Sequence, residues 1–308
     1  MAKYLSAHGI EPIVLDNLST GHRRMVRWGE LIEADLLDID ALDRAFATHP
    51  PFDAVMHFCA RSLVGESVQA QYDYYINNVS GTLNLLQAMR RGSVSRIVFS
   101  STAAVFGRPQ AERIDEDHPK APINPYGASK LMVERVLEDA ASAYGLSSVT
   151  LRYFNAAGAS PDGDIGEAHE PETHLIPNLL HAVSGKAPAL KVFGNDWPTS
   201  DGTCVRDYVH VDDLAQAHLL ALRYMSDHPG AHAFNLGNGN GHSVMQAIRI
   251  AEAVTGRQVP YEFAPRRLGD PAVLVASSAR ASKELGWRPA YLELGRIIET
   301  AWQWHRQS

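Results

Sequence analysis

A doubly wound α/β fold is predicted for this 308-residue chain, on three observations. Short apolar runs of strand length alternate with longer amphipathic runs of helical period, the pattern of a parallel sheet with crossover helices. Several short runs end on Asp, Asn, Ser or Thr, at the strand ends where such sheets hold ligands. Hydrophobic residues make up 45% and charged residues 20% of the chain, enough for a large core, as one big domain or two smaller ones.

In chain order, residues 3–8 read as the end of an amphipathic helix stopped by Gly9. Ile10 to Leu15 is a strand closed by Asp16-Asn17, and 31–34 a shorter one closed by Asp35-Leu36. Ile39 to Ala47 is helical, 53–59 a strand, and Glu66 to Arg91 one long helix containing Asn77 and Asn78. Arg96 to Ser100 is a buried strand running into Ser100-Ser101-Thr102. Pro125 suits a first helical position, and Leu131, Val133, Val136 and Leu137 give the following helix its apolar stripe. Val149 to Phe154 is a further strand. Residues 156–174, rich in Gly, Asp, Glu and His and without periodicity, read as a loop covering a site. A helix over 175–185, residues 190–193 with a Gly/Asp/Pro-rich turn, the stretch 205–211 leading into a helix over 212–224, a strand over 232–236, a helix capped by Ser243 and two final helices complete the chain.

Composition excludes several functions. A net charge of −7 without a basic run argues against nucleic acid or an anionic membrane as partner. No apolar segment is long enough to span a bilayer, and no signal peptide opens the chain. Two cysteines, Cys59 and Cys204, are too few for a disulfide framework, and Cys59 in its apolar run reads as a packed residue. The 14 histidines show no metal-ligand spacing, so no metal is expected. Trp302 and Trp304 read as packing residues, and no repeat or low-complexity segment appears.

Chemistry is concentrated in two stretches. Tyr126 and Lys130 lie four residues apart, one turn apart on one helix face. A phenol with a pKa near 10 is a poor base at neutral pH, and a nearby ammonium favours its phenolate. Such a pair can take or return a hydroxyl proton. The pair alone is a weak signal. The hydroxyl-rich strand end Ser100-Ser101-Thr102 before it supplies the context.

Other segments then fall into a recognisable order: Val14-Leu15-Asp16-Asn17-Leu18-Ser19, Val64-Gly65-Glu66-Ser67-Val68, Tyr74-Tyr75-Ile76-Asn77-Asn78-Val79, Phe99 to Thr102, Asn124 to Lys130, Leu151-Arg152-Tyr153-Phe154-Asn155, 201–208 and 264–270. Together they resemble the extended short-chain dehydrogenase/reductases and, within them, the UDP-glucose (UDP-galactose) 4-epimerases, over nearly the whole chain. The resemblance implies a Rossmann-like NAD-binding domain, 1–155 plus about 206–238, and a smaller mixed α/β UDP-sugar-binding domain, 156–205 plus 239–308. It implies Tyr126 as proton acceptor, Lys130 tuning it and holding the nicotinamide ribose, and Thr102 bonding the sugar hydroxyl. Asp16 would grip the adenine ribose, a choice that favours NAD over NADP, with Asn17 beside it and Asp35 and Leu36 flanking the adenine. Phe58, Asn77, Ser100 and Phe154 would line the cofactor, and Asn155, Leu175, Phe193, Arg206, Arg267 and Asp270 would surround the UDP. Both arginines suit a diphosphate, although Arg206 could instead form a salt bridge to Asp207 or a neighbour. A cytoplasmic homodimer acting in galactose metabolism, paired through the 66–91 and 125–144 helices, is implied as well.

The family begins with a strand and a Gly-rich turn that cradles the NAD pyrophosphate, and no such turn precedes Asp16. The expected sheet therefore lacks its first strand: either the natural chain extends further, or this chain has lost NAD. Phe106 stands where many relatives carry Tyr, Ser62 where many carry Lys, and Leu274 near the position that gives room for the sugar 2-substituent. A sugar-nucleotide 4,6-dehydratase is disfavoured, since Ala103-Ala104 occupy the place of its acidic pair. Another NDP-sugar epimerase and a non-catalytic nucleotide-sugar-binding chain remain as alternatives.

Overall fold

The computed structural model describes residues 1–49, 51–267 and 269–307, so Leu268 of the 264–270 motif lies outside the described residues. The elements in order are α1 (Ala2–Ala7), β1 (Ile13–Asp16), β2 (Glu30–Glu33), α2 (Ile39–Thr48), β3 (Val55–His57), α3 (Val64–Gln69), α4 (Gln71–Tyr75), α5 (Gly81–Arg91), β4 (Arg96–Thr102), α6 (Pro125–Tyr144) and β5 (Ser147–Tyr153). There follow β6 (Asn155–Ala157), α7 (Leu175–Ser184), β7 (Leu190–Phe193), β8 (Val205–His210), α8 (Val211–Tyr224), β9 (Ala231–Leu236), β10 (Gly241–Ser243), α9 (Val244–Thr255), β11 (Tyr261–Ala264), β12 (Val273–Leu274) and α10 (Leu294–His305). The chain forms two compact units.

The first unit comprises Met1–Gly107, Pro119–Arg152 and Ala215–Phe234. Its strands form two sheets. β1 and β2 pair in parallel, Ile13 opposite Glu30, and the other sheet has the order β3-β4-β5-β9, with β3 and β4 parallel. In a doubly wound order of 3-2-1-4-5-6 the first strand lies between the second and the fourth. A sheet without that strand divides between the present β1 and β3, as observed. Leu42, Leu85, Met89, Ile97, Phe99, Val133 and Leu137 form the core beneath. Each such side chain stabilises the unit by about 1.5–3 kcal/mol through burial.

Several elements differ from the sequence expectation: β10, β11 and β12 have no counterpart in it, and of the two expected final helices only α10 is an α-helix, a π-helical turn at Ala281–Leu285 standing before it. The stretch 66–91 is not one long helix but α3, α4, a π-helical turn over Ile76–Ser80, and α5. Ala70, at φ −126°, leaves the helical region and separates α3 from α4. The Tyr74 hydroxyl donates to the Leu63 carbonyl and to Glu66 across that break. Side-chain bonds to backbone on neighbouring turns offset the lost helical ladder.

The second unit comprises Arg108–His118, Tyr153–Leu214 and Asn235–Ser308. β8 is its hub: β10 pairs antiparallel with it, β12 and β6 parallel, while β7 and β11 form a separate parallel pair. Its core is Ile176, Leu179 and Leu180 of α7 with Ile248 of α9 and Ile297 and Ile298 of α10. Ser243 caps α9 as expected, in a capping box with Gln246. Trp304 is buried, and Trp302 packs against the core.

Candidate active site

Thr102 is the last residue of β4 and caps the short turn that follows, its Oγ1 accepting from the Ala104 N–H at 3.1 Å. That leaves its hydroxyl hydrogen to donate. Tyr126 and Lys130 lie one turn apart at the start of α6. Asn124 caps this helix through the Gly127 N–H at 2.8 Å, and Pro125 is in its first turn. A Cβ on Gly127 would stand 2.5 Å from the Ala104 carbonyl oxygen. Glycine is therefore what allows the first turn of α6 to lie against the turn after Thr102.

Lys130 is 3% exposed. Its Nζ donates to the Ser100 carbonyl at 2.8 Å and lies over the Phe99 ring. One of three N–H donors is thereby used. Burial pulls the amine down to about 8. His57 is also fully buried, and burial followed by the Lys130 charge holds it neutral, down to about 3. Its Nε2 meets Thr82 Oγ1 at 2.8 Å. Because Thr82 gives its hydrogen to the Asn78 carbonyl, Nε2 of His57 is the donor. Burial raises the Cys59 thiol to about 11, in keeping with a packed residue.

Two networks behind these side chains were not read from the sequence. Arg152 on β5 forks onto Glu134 of α6, with Nη2 to Oε2 at 2.7 Å and Nε to Oε1 at 3.0 Å, and Ser101 donates to the same Oε1 at 2.6 Å. Both charged side chains are at most 3% exposed. This buried pair ties the sheet to the helix one turn beyond Lys130. The second network starts in the π-helical turn. Asn78 donates to Ser129 Oγ at 3.0 Å, and Ser129 donates to the Tyr126 carbonyl at 2.8 Å. Asn78 also accepts from the Arg61 N–H and donates to the Arg61 carbonyl.

The residues expected along a dinucleotide are also in the first unit, apart from Phe154. Asp16 Oδ1 accepts from the Leu18 N–H at 2.7 Å, and Oδ2 has no hydrogen bond among the described residues. Asn17 donates to Asp35 at 2.7 Å, and Leu36 is buried. Phe58 is exposed and lies 4.7 Å from the His218 ring. Asn77 donates to Asn78, and Ser100 is buried. Phe154 falls in the second unit, its N–H donating to the Leu236 carbonyl.

All six residues expected around a UDP are in the second unit. Arg267 stacks its guanidinium over Phe193 at 3.8 Å. Arg206 donates to the Val205 and Pro271 carbonyls and lies 3.8 Å from Asp270. Arg206 does not pair with Asp207. That carboxylate is fully buried and accepts from the Asn238, Gly239 and Ala276 N–H groups, and burial pushes it up to about 6 in spite of them. Asn155 Oδ1 is buried with no partner among the described residues. Leu175 is the first residue of α7.

The profile of the NAD dependent epimerase/dehydratase family matches residues 1–237. The chain belongs to this family. A UDP-glucose 4-epimerase of Lacticaseibacillus casei is 47% identical over 98% of this family member and 92% of the relative. The crystal structure of a UDP-glucose 4-epimerase from Brucella ovis in complex with NAD superposes with a TM-score of 0.94 at 47% identity, covering 98% of this chain and 92% of that one. The Bifidobacterium longum UDP-glucose 4-epimerase, solved with NAD+ and UDP, superposes with a TM-score of 0.94 at 35% identity over 100% of this chain and 94% of that one.

The residues this family member presents fit a dinucleotide at two places. Asp16 has a carboxylate oxygen left for a ribose hydroxyl, and Gly21 flanks that carboxylate, where a Cβ would stand 3.3 Å from Oδ1. Lys130 has two N–H donors left for a second ribose. Glu134 and Arg152 carried no usable sequence signal, since each alone reads as an ordinary charged position. One signal was available and went unread: Glu167, His169, Glu172 and His174 follow an E-x-H-x-x-E-x-H spacing, and one ligand atom of each lies within 4.8 Å of the others.

Proposed function

We propose that this chain interconverts UDP-glucose and UDP-galactose as an NAD-dependent 4-epimerase. The observation that carries the reading is the meeting of α6 with the end of β4. The turn that Thr102 caps and the first turn of α6, which carries Tyr126, meet at a glycine contact that leaves no room for a side chain. NAD, when bound, accepts and returns the hydrogen at C4 of the sugar. Tyr126 takes the proton of the 4-hydroxyl and later gives it back. The Lys130 ammonium favours the phenolate, and its free donors hold a ribose. Thr102 donates its remaining hydrogen to the sugar oxygen. Asp16 accepts from the adenine ribose, which favours NAD over its 2′-phosphorylated form.

Arg206, Arg267 and the orphaned Asn155 oxygen bind the UDP. Holding the nucleotide supplies remote binding energy while the sugar presents first one face and then the other. Leu274, beside Arg206 across the β12–β8 pair, stands near the sugar 2-substituent.

The protein works as a cytoplasmic homodimer in this reading. Val68 of α3, Tyr72 of α4, and Met132 and Tyr144 of α6 are exposed, Tyr72 to 75%, and a second copy would cover them. Light scattering reads this directly; a monomer at micromolar concentration removes the dimer. Tyr126→Phe is expected to lower turnover by roughly a hundred- to ten-thousand-fold while UDP still binds with unchanged affinity. Borohydride reduction of the purified chain is expected to reveal bound NAD by absorbance. No interconversion by the wild-type chain, even with NAD added, overturns the reading.

A further inference from the structure

The loop before α7 holds a cluster that the epimerase chemistry does not use. Glu167 Oε1 lies 2.9 Å from His169 Nδ1 and is hydrogen-bonded to His174 Nδ1. Glu172 faces the same two nitrogens, its Oε1 at 3.9 Å from His169 and 3.8 Å from His174. The two imidazole rings meet edge to face at 5.3 Å between centroids. Four side chains from eight consecutive residues thus converge on one point through two nitrogens and two carboxylates.

The Glu172 carboxylate supplies a separate observation. Its side chain is only 6% exposed. Oε1 accepts from the Thr173 and His174 N–H groups at 2.7 and 2.8 Å, which fixes the carboxylate plane. Oε2 is buried and has no hydrogen-bond partner among the described residues. A buried carboxylate oxygen without a donor is costly, and a bound cation is one way of meeting that cost.

We propose that Glu167, His169, Glu172 and His174 form a structural site for a divalent first-row transition ion, zinc by preference. Two imidazoles argue against calcium or magnesium, which take oxygen ligands. Two nitrogens and two oxygens suit tetrahedral zinc, whose ligand atoms lie about 3.3 Å apart. The widest of the present spacings, up to 4.8 Å, needs a closure of about 1.5 Å to reach that geometry, and the Glu167 contacts to the two imidazoles need a slight opening. Charge also balances: a divalent ion matches the two carboxylates of Glu167 and Glu172 with the imidazoles as neutral ligands. An outer layer is present. Asn178 donates to the Glu172 and His174 carbonyls, and Trp304 of α10 donates to the Glu167 carbonyl. Four protein ligands leave no open position, so the ion fastens the 167–174 loop to α7 and α10 and does no chemistry.

The test uses the full chain, stripped by EDTA and titrated with zinc chloride against a chromophoric chelator. One zinc ion per chain is expected, with a rise in melting temperature as the ion is added. Cobalt(II) is expected to give the intense visible band of a tetrahedral site. Glu172→Gln and the double variant His169→Ala/His174→Ala are each expected to weaken zinc binding by at least about tenfold. A control lacking the exposed His228 and the half-buried His232 is expected to bind as the wild type does. Absence of saturable uptake overturns the site, as does undiminished binding by the ligand variants or an octahedral cobalt spectrum. Should the double variant fail to fold, the wild-type cobalt spectrum and Glu172→Gln decide.

Discussion

At the residue scale, the pair proposed to do the chemistry and the buried ion pair behind it differ in how they can be read. Tyr126 and Lys130 sit on one helix, so spacing alone places them together. Glu134 and Arg152 meet only because β5 runs beside β4 beneath α6, a contact that no local pattern announces. Their burial gives a sharp expectation. Glu134→Gln leaves the Arg152 guanidinium buried without a counter-charge, at a cost of about 3–5 kcal/mol. Urea denaturation would show this as a lower midpoint at unchanged slope; a shift below about 1 kcal/mol would mean that the pair is screened as surface pairs are. The Asn155 oxygen, without a protein partner, leads to the opposite kind of prediction. Asn155→Ala is expected to weaken UDP binding by calorimetry while leaving the melting temperature nearly unchanged, because no internal hydrogen bond is lost.

At the scale of single elements, the sequence was most legible where apolar period and caps agree and least where tertiary contacts override them. The residues that start α6 and α9, Pro125 and Ser243, announce themselves locally. The break at Ala70 and the π-helical turn at Ile76–Ser80 do not. Both occur within a stretch of sound helical period, and their cause is side-chain bonding by Tyr74 and Asn78 to groups far from the local ladder. Gly127 tests the meeting of α6 with the β4 end. In an ordinary helix interior Gly→Ala gains up to about 1 kcal/mol. Here the added Cβ meets backbone at 2.5 Å, so Gly127→Ala is expected to destabilise the fold and lower turnover together. A variant as stable and as active as the wild type would show that the helix tolerates a shift. Ser243→Ala, which removes the cap and the hydroxyl's bond to Asp201, is expected to cost about 1 kcal/mol or more without touching turnover.

At the scale of the whole molecule, the buried titratable groups fix a pH response. His57 is held neutral down to about 3 and His210 down to about 4, in both cases by burial first. Unfolded histidine takes up a proton near pH 6.5. Between that value and the folded values the unfolded chain binds more protons, so stability is full above pH 6.5 and falls as the medium is acidified towards 4. Asp207, raised to about 6 by burial, and Asp213, raised by burial, act in the opposite sense, but His305, lowered to about 4, joins the other two histidines against them. The melting temperature is therefore expected to drop steadily over this interval, and a flat profile would count against burial of the neutral rings. The α/β class itself was readable from the alternation of runs. The splitting of the first unit into two sheets required the strand order as well. That division has a kinetic corollary. Asp16 and Asp35 stand at the ends of a two-stranded ribbon, whereas Thr102 ends an inner strand of a four-stranded sheet. Backbone amides of the ribbon should trade hydrogen for deuterium sooner than those of β4, and adenosine, through the adenine-ribose contact proposed at Asp16, should slow the first set and leave the second untouched.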